Sequence, residues 1–333
     1  MRVFVFEYVT GGGLLGAGLP PSLVREGDLM LRALVADLAA LDGVECIITR
    51  DARLALPRLP ADCRPVHDAA DFPRVWAQAL AGADAVWPIA PEHQGILEGI
   101  SQAILAADRP LLNSRPAAVR TAASKLRTIR LLEAQGVPVV PTFGAADRLP
   151  PLPGPWVLKP DDGVGCLGIR LCRDRDSLSR YWEQLTQAET FVAQPFIQGT
   201  AASLSLLAKD GEVNLLSVNR QRIAVMDEGL MLLGCVVNGL GAGDPRWRRL
   251  AGDVTAALPD LWGYAGVDLI AAAEGPLVLE VNPRLTTSYV GLRESLQRNP
   301  AGLVLDLLAG ARPRQGAVGG LAVDVCLEYA GAA

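Results

Sequence analysis

The residues best suited to chemistry begin in WVLKPDDGVGCLGIRLC, residues 156–172, where Lys159 precedes a glycine-rich run. GVGCLG has the spacing G-x-G-x-x-G at Gly163, Gly165 and Gly168, the letters of a dinucleotide-binding turn. That turn needs a helix after it, because the pyrophosphate rests on the helix N-terminus. Here IRLCRD follows, strand-like and without helical period, so the dinucleotide reading fails on context. A P-loop fails too: it requires Lys followed by Ser or Thr, whereas Lys125, Lys159 and Lys209 precede Leu126, Pro160 and Asp210. What remains is strand, glycine loop, strand. Such a hairpin can lie over a triphosphate, since glycines let backbone N–H groups approach oxygens and Lys159 adds a point charge. A flexible hairpin turn is the plain alternative.

Far downstream, YAGVDLI carries Asp268 at an expected passage from helix to strand, and LVLEVNPR places Glu280, Asn282 and Arg284 at alternate positions. A period of two sets these three on one face of a strand. Two carboxylates and an amide oxygen are hard ligands, suited to Mg²⁺ (or Mn²⁺) shared with nucleotide phosphates. Arg284 on that face can stabilise charge on a phosphoryl group in transfer. A solvated acidic edge is the alternative, but both carboxylates interrupt apolar strands, where unpaired charge is costly. Lysine, glycine loop and acidic pair together specify ATP with magnesium better than any one alone.

These residues must be held by a sizeable fold. With 333 residues, 50% hydrophobic and 20% charged, the chain reads as globular throughout, with two or three domains. Residues 1 to about 115 alternate strands (VFVFEYV, ECIIT, DAVWPIA, PLLNS) with helical segments such as DLMLRALVADLAAL, which implies a parallel sheet. The Pro/Arg-rich DARLALPRLPADCRP reads as a surface connection. A helical stretch, VRTAASKLRTIRLLEAQG, opens a new domain and is stopped by Gly136 and Pro138. Strands then dominate, from WVLKP to LMLLGCVV, followed by a helix at about 245–263, two strands, a helix near 300–309 and VDVCLEY. This half should be α+β with antiparallel sheet.

Composition narrows the partners. A net charge of −5 gives no electrostatic footprint for nucleic acid, so small molecules are favoured. Six cysteines without a C-x-x-C pair, and two histidines without ligand spacing, indicate neither a zinc site nor a disulfide framework. MRVFVFEY reads as a strand rather than a signal peptide, and apolar runs such as LMLLGCVV fall short of the roughly 18 residues that span a bilayer. The expectation is a cytoplasmic protein with no membrane partner.

In this order the motifs resemble the ATP-grasp superfamily over nearly the whole chain. The resemblance implies an ATP-grasp fold in three parts: an N-terminal Rossmann-like parallel-sheet domain (1–115), a small lid subdomain with the glycine loop (116–193), and an antiparallel-sheet C-terminal domain with the metal site (194–333). It implies nucleotide contacts from Lys125, Lys159 and the loop residues Asp162, Gly163, Val164, Gly165, Cys166 and Gly168. It also implies an adenine hinge at Gln194, Pro195, Phe196 and Ile197, using backbone groups of the last two. Asp268, Glu280 and Asn282 match the magnesium ligands, and Arg284 matches the arginine near the reacting phosphates. Many relatives follow the hinge with a glutamate that grips the ribose, but GTAASLSLL has only Ala201 and Ala202 there.

FEYVTGGG, REGDLML, APEHQGIL, NRQRI and VNPRLTTS further resemble the tyramine–glutamate ligase family of methanofuran assembly. The chemistry implied is phosphorylation of the glutamate side-chain carboxylate by ATP, then attack of tyramine or tyrosine on the acyl phosphate, with a homodimer as one arrangement. Other amino-acid or dipeptide ligases, and a nucleotide-binding regulator without catalysis, stay open. For the substrates, Gly12 and Gly13 sit at the carboxyl edge of the first sheet, as in a site or an ordinary loop. Arg220 and Arg222 could clamp a carboxylate or be exposed strand charges. Thr286, Thr287 and Ser288 follow the metal strand, and Glu7 and Glu26 could hold an ammonium.

Overall fold

The computed structural model describes residues 1–163, 168–226, 229–241, 243–314 and 320–327. β1 (Arg2–Glu7) leads through a glycine loop to α1 (Pro21–Ala39), then β2 (Glu45–Asp51), β3 (Ala61–Val66), α2 (Phe72–Ala81), β4 (Ala85–Ile89) and α3 (Ile96–Ala106). The strands pair in parallel in the order β3-β2-β1-β4. Both faces of β1 are covered: Val3 and Val5 join one buried cluster, Phe4 and Phe6 another. That is why its sequence is apolar without interruption. β3 lies inside the Pro/Arg-rich stretch expected to be a surface connection. It is an edge strand, where Pro65 is tolerated and one apolar face suffices, so its composition hid it. PLLNS, expected as a strand, contributes only a bridge between Val86 and Leu111.

The next helical stretch is divided into α4 (Pro116–Ala122) and α5 (Lys125–Ala134). Ser124 makes the break: its hydroxyl accepts from the Arg127 N–H at 3.1 Å as an N-cap, so Lys125 opens α5. β5 (Phe143–Gly144), β6 (Trp156–Pro160), β7 (Arg170–Cys172), α6 (Arg175–Glu183) and β8 (Phe191–Pro195) follow, their strands antiparallel in the order β5-β8-β6-β7. α6 carries only one buried side chain, Leu178, so it left little apolar period to read. A reciprocal capping box between Asp174 and Ser177 starts it.

The third sheet takes β9 (Thr200–Lys209), β10 (Glu212–Met226) and β11 (Gly229–Val237). After α7 (Pro245–Ala257) it adds β12 (Gly263–Ala272) and β13 (Gly275–Asn282). α8 (Leu292–Leu296) and α9 (Pro300–Leu308) then lead to β14 (Val323–Cys326). The order is β13-β12-β9-β10-β11-β14, antiparallel. Because α7 stops at Ala257, β12 begins at Gly263, and Asp268 lies within the strand rather than at its entry. Lys209 ends β9 and donates to Leu307 O (2.9 Å) and Ala311 O (3.0 Å), satisfying carbonyls at the end of α9.

Packing runs across the sheets. Leu31, Leu34 and Trp87 share one cluster with Leu207, Tyr264 and Leu285, while Ala118, Ile129 and Leu132 of α4 and α5 join Leu204, Val267 and Val278. The helices of residues 116–134 thus rest on the third sheet, and β6 to β8 have a small core of their own around Trp156 and Leu178. No helix among the described residues is long and apolar enough to cross a membrane.

Glu7 ends β1 in the interior. It accepts from the N–H of Val9 (3.2 Å) and from the N–H and hydroxyl of Thr10 (both 2.6 Å), folding the loop back onto the strand. A Cβ at residue 27 would stand 2.6 Å from its carboxyl carbon, which accounts for Gly27 inside α1 despite glycine's cost in a helix. Burial outweighs the Thr10 and Val9 hydrogen bonds and raises the Glu7 pKa from 4.5 to about 7. The folded state therefore keeps a proton that the unfolded chain releases between these values. The associated stability, at most about 3 kcal/mol, is complete below pH 4.5 and lost as pH rises through about 7. Urea midpoints at pH 5 and pH 8 should fall further for the wild type than for Glu7→Gln. An equal fall in both would show that Glu7 is ionised in the fold.

Candidate active site

A cavity of about 450 Å³ opens between the second and third sheets, with Glu26 of α1 in its wall, within the size of small-molecule sites. Its wall includes the hinge Gln194–Ile197, Lys125, Lys159, Gly163, Asp268, Glu280, Asn282, Arg284, Glu26 and Thr286–Ser288. Most of the residues singled out from the sequence therefore converge on one space.

The acidic pair forms its charged floor. Asp268 stands opposite Glu280 in the register of β12 and β13. Asp268 accepts from Gln221 Nε2 (2.8 Å) and from Asn282 Nδ2 (3.1 Å), which leaves the Asn282 amide oxygen as a further donor atom. Lys125 Nζ lies 3.2 Å from Glu280 Oε2 and also donates to Gly163 O (2.6 Å) and Asp161 O (3.4 Å). A lysine at the first position of a helix opposes the helix dipole, and Glu280 with the loop carbonyls offsets that. Burial alone would raise the Glu280 pKa, but Lys125 and then Lys159 reverse this and hold it well below the usual carboxylate range. Asp268 is pushed up, first by burial and then by the Glu280 charge. The two carboxylates divide the titration between them.

The donor set fits magnesium. All three side chains offer oxygen, and the Lys125 ammonium already stands against Glu280 as a cation would. Among the described residues no group of three or more His, Cys, Asp or Glu could hold a metal alone. Magnesium takes one or two carboxylates and completes its shell with phosphates and water.

At the expected hinge, one backbone group is already in use. The Phe196 N–H donates to Pro155 O (2.9 Å), so of the groups expected to meet a base, the Phe196 carbonyl and the backbone of Ile197 remain. The Phe196 side chain is 40% exposed at the cavity mouth, and Gln194 Nε2 is held by Thr142 Oγ1 at 2.8 Å. In the glycine loop, Gly163 reaches the cavity. Val164, Gly165 and Cys166 lie outside the described residues. Asp162 and Gly168 are not in the wall; Asp162 Oδ2 lies 3.0 Å from His93 Nδ1, and Gly168 closes the hairpin at φ +73° against Pro160.

Several substrate candidates lie elsewhere. Glu7 is enclosed in the first sheet, as described above. Gly12 and Gly13 line a separate apolar crevice with Phe6, Tyr8, Phe72 and Trp76, and a Cβ at Gly13 would overlap the Tyr8 ring, so packing accounts for that glycine. Gln221 and Ile223 of β10 line the cavity, which turns Arg220 and Arg222 to the opposite face. Arg222 forks onto Asp324 and donates to Val325 O (3.2 Å), while Arg220 is exposed with a contact to Gly239 O (3.4 Å). Their shared face was legible, but not its direction. Glu26 and Thr286–Ser288 do meet the cavity: the Thr287 hydroxyl donates to Glu26 across the domains, and Thr286 and Ser288 join Ser205 and Tyr264 in a hydroxyl network at 2.9–3.1 Å. Gln221, Ser203 and Glu92 escaped the sequence reading. Gln221 was flanked by more conspicuous arginines, and Glu92 is joined to the site only by its contact with Arg284 at 3.0 Å.

Residues 122–288 match the family model of the ATP-grasp domain, and residues 44–119 match the pre ATP-grasp 3 domain. The chain belongs to the ATP-grasp family. It is 28% identical over 177 residues to D-alanine–D-alanine ligase of Synechococcus sp. (strain JA-3-3Ab), covering 50% of this chain and 54% of that protein. It is 33% identical over 105 residues to tyramine–L-glutamate ligase of Methanocaldococcus jannaschii, covering 32% of each. The chain thus spans about half or less of these relatives' lengths. An ATP-grasp superfamily protein from Archaeoglobus fulgidus superposes with a TM-score of 0.67 and 24% identity, over 95% of this chain and 90% of that one. In this ATP-grasp chain, Arg222→Ala should leave affinity for any cavity ligand unchanged within about twofold. Its partly exposed pair should cost only about 1 kcal/mol of stability or less. A tenfold loss of affinity would return Arg222 to the site.

Proposed function

We propose that the chain is an ATP- and magnesium-dependent carboxylate–amine ligase that makes an amide through an acyl phosphate. The observation that carries this reading is the convergence on one cavity of the hinge, both lysines, the acidic pair with Asn282, and Arg284. A carboxylate is a poor electrophile until one of its oxygens becomes a leaving group. Its oxygen attacks the γ-phosphorus of ATP and ADP departs; the amine then attacks the acyl carbon and phosphate leaves. Lys159 and Arg284 are the chain's own charges for the phosphoryl group in transfer. Magnesium held by Asp268, Glu280 and Asn282 would neutralise phosphate charge when bound.

For the substrates we favour glutamate as the carboxylate and tyramine or tyrosine as the amine, in methanofuran-type cofactor synthesis. The tyramine–L-glutamate ligase similarity and the polar group of Glu26, Thr287 and Ser288 support this choice. The D-alanine–D-alanine ligase similarity keeps a dipeptide ligase as the second reading. The intact set of Asp268, Glu280, Asn282 and Arg284 argues against a nucleotide-binding regulator without catalysis.

ADP release should require a carboxylate substrate and rise with the amine, and mass spectrometry should find the amide. Glutamate with tyramine or tyrosine giving no amine-dependent turnover would remove that pair, and alanine giving a dipeptide would establish the second reading. Glu280→Gln should lower ADP release by about 10²-fold or more while the protein still unfolds cooperatively. Retained turnover would take Glu280 out of the metal site.

A further inference from the structure

Between β4 and α3 the N-terminal unit sends one tight turn to the edge of the site. Glu92 is buried there, and its Oε2 accepts from Arg284 Nε at 3.0 Å, the two side chains being only 6% and 15% exposed. Arg284 Nη1 donates to Leu285 O (3.2 Å), so two points fix the guanidinium and no described residue accepts from Nη2. Glu92 Oε1 is buried and has no hydrogen-bond partner among the described residues, a costly state for a carboxylate oxygen. The next two residues reach the glycine loop: His93 Nδ1 is 3.0 Å from Asp162 Oδ2, and the Gln94 N–H donates to the same oxygen at 3.3 Å. To do so Gln94 takes φ 52°, ψ 24°, a left-handed conformation that residues other than glycine seldom adopt, and Gly95 follows at φ 72°. Such conformations persist where the surroundings over-determine them, often at functional sites.

We propose that the Glu92–Gln94 turn is a positioning device, in which Glu92 orients the Arg284 guanidinium toward the phosphoryl group while His93 and Gln94 tie that orientation to the placement of Asp162. The inference rests on the ligase reading. Arginine reaches its target on a long flexible stem, and a group misplaced by about 1 Å can lose roughly 10²-fold in rate. A carboxylate fixed to the first sheet removes that freedom for a residue that leaves β13 on a loop. Glu92 itself is not in the cavity wall, so it acts through Arg284.

The test compares wild type, Glu92→Gln, Glu92→Asp, Arg284→Lys and the double variant Glu92→Gln/Arg284→Lys. Calorimetry measures affinity for a non-hydrolysable ATP analogue with magnesium, ADP release gives kcat and KM, and thermal melts report folding. Glu92→Gln should bind the analogue within about twofold of wild type and lose roughly 10²-fold in kcat, and Glu92→Asp, which keeps the charge, should recover part of that loss. The double variant should be no slower than Arg284→Lys alone, because both act at one group. Unchanged kcat in Glu92→Gln, additive losses in the double variant, or affinity and melting temperature collapsing together would each overturn the proposal. A wild type that binds no analogue would overturn the ligase reading beneath it. A wild type that binds and turns over beside an unimpaired Glu92→Gln would overturn this inference alone.

Discussion

The site depends on a balance of buried charge. Asp268 and Glu280 face each other on adjacent strands, and alone they would repel in a setting where neither is well hydrated. Lys125 at 3.2 Å, with Lys159 nearby, settles which of them ionises: Glu280 is held as the anion and Asp268 is pushed toward its neutral form. The lysines come from α5 and β6, the acids from β12 and β13, so the balance also joins the second and third sheets. Removing one partner from such a group costs more than the pair gains in isolation, because an uncompensated charge stays buried.

The rest of the fold can be understood as support for that geometry. Ser124 caps α5 and so places Lys125 at its first turn, while Ile129 and Leu132 fasten the helix to the third sheet. Lys159 sits on β6 between β7 and β8, a small sheet whose own core is slight. Arg284 is treated differently. It leaves the strand on a loop, and its guanidinium is held by Glu92 in the turn after β4.

Much of this was legible in the chain. Alternation in LVLEVN put Glu280 and Asn282 on one face, and the strand-like IRLC after GVGCLG excluded a dinucleotide turn before any coordinates were needed. What stayed hidden was set by long-range partners. The period in NRQRI shows that Arg220 and Arg222 share a face, yet only the pairing of β10 with β9 and β11 decides that the other face looks into the cavity. Glu7 and Glu26 are both acids near the start of the chain, but the first is enclosed by its own loop against Gly27 while the second meets Thr287. β3 and α6 had too few buried side chains to leave a period.

The two sides of the cavity use different physics, and that bears on what each can recognise. The floor that would meet phosphates is ionic: Lys125, Lys159, Asp268 and Glu280 act over several ångströms and tolerate small displacements, as Coulomb attraction does. Beside it, Thr286 and Ser288 of the wall belong to a group of hydroxyls. Tyr264, Ser205, Thr286 and Ser288 satisfy one another at 2.9–3.1 Å, and the Tyr289 hydroxyl anchors the same segment to Asp37 at 2.9 Å. Hydrogen bonds of this kind weaken steeply with angle and distance, so a segment locked by them can discriminate shape where the ionic floor cannot. On the ligase reading proposed above, selection among amines falls to Glu26 and residues 286–288, and charge neutralisation to Lys125, Lys159 and Arg284.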